Sequence, residues 1–351
     1  MELTAGKYWG LRRLATDSGQ FAMLATDQRP PIFDLIKAKR GTPKAAFADV
    51  AAVKRALTRV LAPHASALLT EPLYGYWAGF DAIPPHRGLI VTLEEHAFRE
   101  TASGRLSDEI ADWSVAKIKR LGADAVKVLA WYRPDASPEI RMHQQSFVQR
   151  IGEACRDHDI CYVLELLVYA LPQEGQQTRG YVEQTGKRPE LVIKSVRDFA
   201  DPGFGVDLFK LESPIEAAKL PDPESGPAER VAEARAQFAA LAQAAARPWV
   251  MLSAGAGMAE FERVLGYAYA AGASGYLAGR SIWWPAAQRF PDIAEMERCL
   301  AAEAVPYMES LNALTRATAQ PWTRHPAFAG GLTLADAGPD FRRRYATLPA
   351  G

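Results

Sequence analysis

Several residue types that mark large functional classes are scarce in this chain. It holds three cysteines, Cys155, Cys161 and Cys299, an odd number without Cys-x-x-Cys spacing. That excludes a disulfide framework or zinc ribbon and points to a reducing cytoplasm. The six histidines are scattered, with neither His-x-His nor His-Glu-x-x-His spacing, so no metal site is expected. Neither sign of charge is in excess: 41 lysines and arginines face 41 acidic residues. No global field would therefore draw nucleic acid or an anionic membrane. No apolar run approaches the roughly 20 residues that span a bilayer. The N-terminus has no signal-like apolar segment, and repeats and low-complexity tracts are absent.

What is present reads as a soluble globular enzyme, 48% hydrophobic and 23% charged across 351 residues. Short apolar or β-branched runs alternate with longer stretches of helical period. Eight strands are expected, at Phe21–Thr26, Ala65–Thr70, Gly88–Leu93, Ala125–Ala130, Cys161–Leu167, Val206–Leu211, Trp249–Ser253 and Gly275–Ala278. Helical segments lie between most of them, including Ala46–Leu61, Asp108–Leu121, Pro138–His158, Pro227–Ala245 and Met258–Ala271. Strands alternating with helices argue for a parallel sheet, and runs apolar almost throughout suit strands buried on both faces. Eight units point to a single (β/α)8 TIM barrel over residues 1–320, with a doubly wound open sheet as the alternative. Residues 321–351, rich in glycine and proline, form a short irregular C-terminal extension or an arm that packs elsewhere. Two loops, Pro172–Lys187 and Lys219–Pro227, are placed at the C-terminal mouth, where active sites of this architecture are built.

Three strand-like runs each carry one ionisable residue: Lys127, Glu165 and Lys210. Burying an ammonium costs several kcal/mol, so a lone lysine in a core strand needs a reason. One is nucleophilic. A water-poor interior and a second cation favour the unprotonated amine, which attacks a carbonyl to form a Schiff base. The others are structural: a lysine snorkelling to solvent, or an ion-pair network that merely closes the barrel. On adjacent strands the three side chains would converge, with Glu165 balancing charge and moving protons. The first strand ends in Asp27-Gln28-Arg29, which is either catalytic or a turn cap. Small residues at Ser253-Ala254-Gly255 and at Gly279, with Arg280 beside them, suit a phosphate after the seventh and eighth strands. A dinucleotide fingerprint is excluded because Glu260 stands where its third glycine belongs.

In order and spacing these segments resemble the class I tagatose 1,6-bisphosphate aldolase family and its relatives that cleave a sulfonated ketose phosphate. The resemblance runs over about residues 10–320 through Ala25–Arg29, Gly122–Lys127, Leu164–Leu166, Asp207–Glu212, Leu252–Gly255 and Ala278–Arg280. It implies a (β/α)8 barrel that needs no cofactor or metal. It makes Lys210 the Schiff-base lysine, with Glu165 and Lys127 as acid/base partners and Asp27 facing the substrate hydroxyls. Gln28 and Arg29 would join the substrate site, and Ser253, Gly255, Gly279 and Arg280 match positions that hold a phosphate. Tyr169 resembles the tagatose branch, whereas Arg133 resembles the sulfosugar branch, where it would hold the aldehyde-side anion. The implied substrate is a sugar phosphate such as tagatose 1,6-bisphosphate, with 6-deoxy-6-sulfofructose 1-phosphate as the alternative. A non-catalytic sugar-phosphate-binding regulator and a metal-dependent lyase are the rival readings, and a cytoplasmic homo-oligomer is expected.

Overall fold

A computed structural model describes residues 1–174 and 183–345 of the chain. Eight parallel strands close into a barrel in chain order. They are β1 (Phe21–Ala25), β2 (Ala67–Thr70), β3 (Gly88–Thr92), β4 (Ala125–Trp131), β5 (Cys161–Leu167), β6 (Leu208–Leu211), β7 (Trp249–Met251) and β8 (Gly275–Ala278). Pairing of β8 with β1, from Gly275 opposite Phe21 to Ala278 opposite Leu24, completes the ring and rules out the open sheet.

The two-residue period of a strand divides the side chains into two sets. Outward positions such as Val126, Val128, Tyr162, Leu164 and Phe209 join one apolar layer with the surrounding helices. Inward positions such as Phe21, Met23, Ile90, Ala125, Val163 and Leu208 form a second apolar cluster inside the ring. That inner cluster fills the end of the barrel where the strands begin. Higher up, the inward positions turn polar.

Local chemistry moved some boundaries. The helix expected over 108–121 is confined to Val115–Arg120. Asp112 takes φ 58°, a left-handed conformation that no helix tolerates, and Ser114 caps the shorter helix by accepting from Lys117 N. Strand β6 begins at Leu208 rather than Val206: the Asp207 side chain, paired at 2.8 Å with Lys7, takes the Tyr162 N–H at 2.9 Å in place of a ladder carbonyl. Residues 175–182 of the expected Pro172–Lys187 loop lie outside the described residues, as do residues 346–351 of the extension.

Residues 321–345 pack beneath the barrel. Trp322 and Phe328 are buried against the inner cluster, with ring centroids 5.4 Å apart, and Thr333–Leu334 pairs in parallel with Glu2–Leu3. The irregular look of this segment in the sequence comes from its glycines and prolines. Its two buried aromatic rings hold it in place.

Candidate active site

Above the apolar cluster, the inward alternation continues through Lys127 on β4, Glu165 on β5 and Lys210 on β6. Glu165 and Lys210 are direct partners in the β5–β6 register. Asp27 and Glu94 follow two positions beyond Ala25 and Thr92 on the same inward rows.

All five side chains are buried and they meet. Lys127 Nζ lies 3.0 Å from Asp27 Oδ2, 2.6 Å from Glu94 Oε1 and 2.8 Å from Glu165 Oε2. The same Glu165 oxygen is 2.9 Å from Lys210 Nζ. One carboxylate oxygen thus bridges two amines. Glu94 also accepts from the Thr92 hydroxyl. Charges this deep persist only when paired, and here three carboxylates face two ammonium groups and the Arg29 guanidinium behind them. Burial pushes the Asp27 carboxyl up, but Lys127, Lys210 and Arg29 outweigh it and hold the group well below the usual carboxylate range.

A cleft opens above this cluster, lined by Asp27, Gln28, Glu165, Lys210, Ser253, Gly279 and Arg280, with Leu167, Leu252 and Leu277 supplying apolar wall. Asp27 Oδ1 and Gln28 Oε1 are buried there without a hydrogen-bond partner among the described residues. Two unsatisfied acceptors in a cleft suit a ligand carrying hydroxyl donors. At the opposite end, Ala254 and Gly255 take φ 49° and 85°, turning the chain after β7 tightly beside Arg280. A Cβ on Gly279 would stand 2.3 Å from the Ala25 carbonyl oxygen, so only glycine lets the ends of β8 and β1 approach this closely.

Arg29 and Arg133 do not line the cleft. Arg29 is fully buried behind the cluster, its Nη2 donating to the Glu94 carbonyl at 3.4 Å. Arg133 is held by Asp135 at 2.8 Å and Glu174 at 2.7 Å and also donates to the Tyr169 carbonyl. Burial works against its charge, but those carboxylates more than offset it and raise its pKa. A guanidinium so engaged braces the loop after β5, and Arg133 lines a neighbouring cavity with Tyr169, Glu174 and Lys187.

Sequence reasoning missed Glu94 and a second buried pair, Lys54 with Glu71, 3.0 Å apart. Lys54 also donates to the Thr26 carbonyl at 2.6 Å, fixing the residue before Asp27. Burial pushes Lys54 down against the pull of Glu71. Glu71 in turn accepts from the backbone N–H groups of Leu73, Tyr74 and Gly75. The signal for Glu94 was its parity, since Ile90, Thr92 and Glu94 share one inward row. Beyond β6, Glu212 meets Lys187 at 3.1 Å and ties the residues that follow 182 to the mouth.

Among the described residues, no group of three or more His, Cys, Asp and Glu side chains is arranged to hold a metal ion. No described helix is long and apolar enough to cross a membrane.

Residues 21–284 match the family model described as DeoC/LacD family aldolase. The chain is 34% identical over 329 residues to tagatose 1,6-diphosphate aldolase 2 of Enterococcus faecalis, covering 92% of this chain and 97% of that one. It is 30% identical over 327 residues to tagatose 1,6-diphosphate aldolase 1 of Streptococcus mutans, covering 92% and 99%. Among solved structures it resembles a Schiff base-forming fructose-1,6-bisphosphate aldolase, with TM-score 0.55 and 16% identity over 88% of this chain and 99% of that one. A fructose-bisphosphate aldolase from Plasmodium falciparum gives TM-score 0.62 and 12% identity over 91% and 98%. At those identities the two structures speak to the fold alone.

Proposed function

The chain belongs to the DeoC/LacD aldolase family, and from that membership we propose that it is a class I aldolase reversibly cleaving tagatose 1,6-bisphosphate to dihydroxyacetone phosphate and glyceraldehyde 3-phosphate. The observation that carries the chemistry is the single Glu165 oxygen within 2.9 Å of Lys210 Nζ and 2.8 Å of Lys127 Nζ.

Lys210 passes a proton to Glu165, its neutral Nζ attacks the C2 ketone, and Glu165 returns the proton to the departing hydroxyl as the carbinolamine loses water. The resulting iminium draws electrons from the C3–C4 bond. Glu165 then takes the proton of the C4 hydroxyl, the bond breaks, and the aldehyde leaves. The enamine is protonated at C3 and hydrolysed, releasing dihydroxyacetone phosphate and free Lys210. Lys127, held among three carboxylates, keeps the Glu165 charge in place between proton transfers. Asp27 Oδ1 and Gln28 Oε1 accept from sugar hydroxyls, and Arg280 with the backbone around Ser253, Gly255 and Gly279 receives the C1 phosphate. Anchoring that end aligns the scissile bond by orientation alone.

Arg133, the residue that favoured a sulfonated substrate, is already paired with Asp135 and Glu174, which supports the bisphosphate reading. Exposed Phe47, Leu73, Trp77 and Phe80 on one side of the barrel support the expected self-association, which light scattering would measure.

Borohydride added with tagatose 1,6-bisphosphate should reduce the imine and leave a stable adduct on Lys210, located by peptide mass. An enzyme that cleaves substrate while Lys210 stays unlabelled would refute the mechanism. A protein that binds the sugar phosphate without turnover at any enzyme concentration would be the regulator instead.

A further inference from the structure

A separate cavity of about 680 Å3 adjoins the cleft on the outer side of Arg280. Its walls come from three elements: the helix Pro30–Arg40 after β1, the turn and helix start after β7, and the helix Arg280–Ala287 after β8. Pro30, Pro31, Leu35, Met258 and Trp284 make the lining largely apolar. That volume lies within the usual range of small-molecule sites, roughly 300–1,000 Å3.

Three features say what would occupy it. Arg280 lines both this cavity and the cleft over Lys210, so one guanidinium is common to the two. Gly255, on the cavity wall, lies against that arginine: a Cβ there would stand 3.5 Å from Arg280 Cζ. Within the wall, Ser281 Oγ and Gln288 Nε2 are buried without a hydrogen-bond partner among the described residues, and Ser281 as a whole is only 5% exposed. Unsatisfied polar atoms set into an otherwise apolar pocket are the usual means of orienting a ligand. The one acid on the lining, Asp34, is exposed and pairs with Lys37 at 2.5 Å. A cation at the inner end therefore leads outward into an apolar slot.

We propose that this groove, which shares Arg280 with the cleft, is a second ligand site for phosphate monoesters carrying an apolar ring. The phosphate would sit at Arg280 and the ring between Trp284 and the Pro30-Pro31 pair. Such a ligand competes with the sugar bisphosphate for Arg280 while reaching a surface the sugar never touches. The inference rests on the assignment of Arg280 to the substrate phosphate, and the experiment separates the two.

Inhibition of cleavage is measured with inorganic phosphate, methyl phosphate and 1-naphthyl phosphate, on the intact chain and on Ala38→Trp. Ala38 lies on the groove wall, exposed on its helix and remote from Lys210. The expected result is competitive inhibition by all three anions, with naphthyl phosphate binding at least roughly tenfold more tightly than methyl phosphate because the ring is buried. In Ala38→Trp, whose side chain fills the slot, the tenfold advantage should vanish while methyl phosphate inhibits as before. Equal inhibition by the two esters, or an advantage that survives Ala38→Trp, overturns the groove site. If none of the three competes, the phosphate assignment of Arg280 fails with it.

Discussion

The two ends of one barrel use the same strands for opposite purposes. Where the strands begin, the inward row is Phe21, Met23, Ile90, Val163 and Leu208, closed from below by Trp322 and Phe328. Two to four residues further on, the same rows carry Asp27, Glu94, Glu165 and Lys210, around the ammonium of Lys127. The lower end buries apolar surface and contributes stability. The upper end buries charge, which costs stability, and leaves acceptors at Asp27 and Gln28 unsatisfied. A barrel can hold such a layer because the apolar layer beneath it offsets the cost. The Lys54–Glu71 pair lies level with the charged end, just past the strands. Fully buried, with both partners bonded to neighbouring backbone, it supports the site without belonging to it.

Substitutions that treat the two ends differently would test that contrast. The largest effect belongs to Lys210→Met, which should lower kcat by at least about 10^4-fold while the melting temperature holds or rises. A melting temperature that collapses with activity would make Lys210 structural. At the other end, Trp322→Ala should cost about 3–5 kcal/mol in denaturant unfolding, with kcat per folded molecule unchanged. A large fall in kcat there would erase the division of labour.

Acid should act first on the lower end. Burial pushes the His325 imidazole down to about 4, helped by the Arg247 cation. The unfolded chain takes up that proton near the ordinary value of 6.5 and the folded chain only near 4, so acid favours unfolding. Stability is therefore complete above pH 6.5 and falls as pH drops toward 4, by roughly 3 kcal/mol at the lower limit. His325→Phe should flatten that part of the stability–pH curve, and an unchanged slope would assign the loss to other groups. Smallest is Glu94→Gln, which keeps the shape but weakens the hold on Lys127. It should lower kcat about 10–100-fold with KM nearly constant, as removing a group that orients another does. A rise in KM alone would place Glu94 in substrate binding.

Much of this was legible in the residues. Lys127, Glu165 and Lys210 stood out because each interrupts an apolar run, and isolated charge in a core strand is costly enough to need a purpose. Glu94 did not, because it falls just past β3 in the polar stretch Glu94-Glu95-His96, which reads as loop. Arg133 shows the reverse. Its position after β4 is right for a substrate contact, and nothing local reveals that Glu174, 41 residues on, takes its guanidinium. The helix expected from Asp108 had the right period, but the left-handed Asp112 stops it on the N-terminal side.

By itself, then, the order of residues determined the strand–helix alternation, the parity that turns certain side chains inward, and the few charges placed among them. These follow from local periodicity and from the cost of burying charge, which any short window of sequence displays. Only the tertiary structure decided which charges share an oxygen, which arginine lines the cleft, and that an apolar groove shares that arginine. Those outcomes depend on the closure of the ring, which brings residues as far apart as Asp27 and Lys127, a hundred positions, within hydrogen-bonding reach.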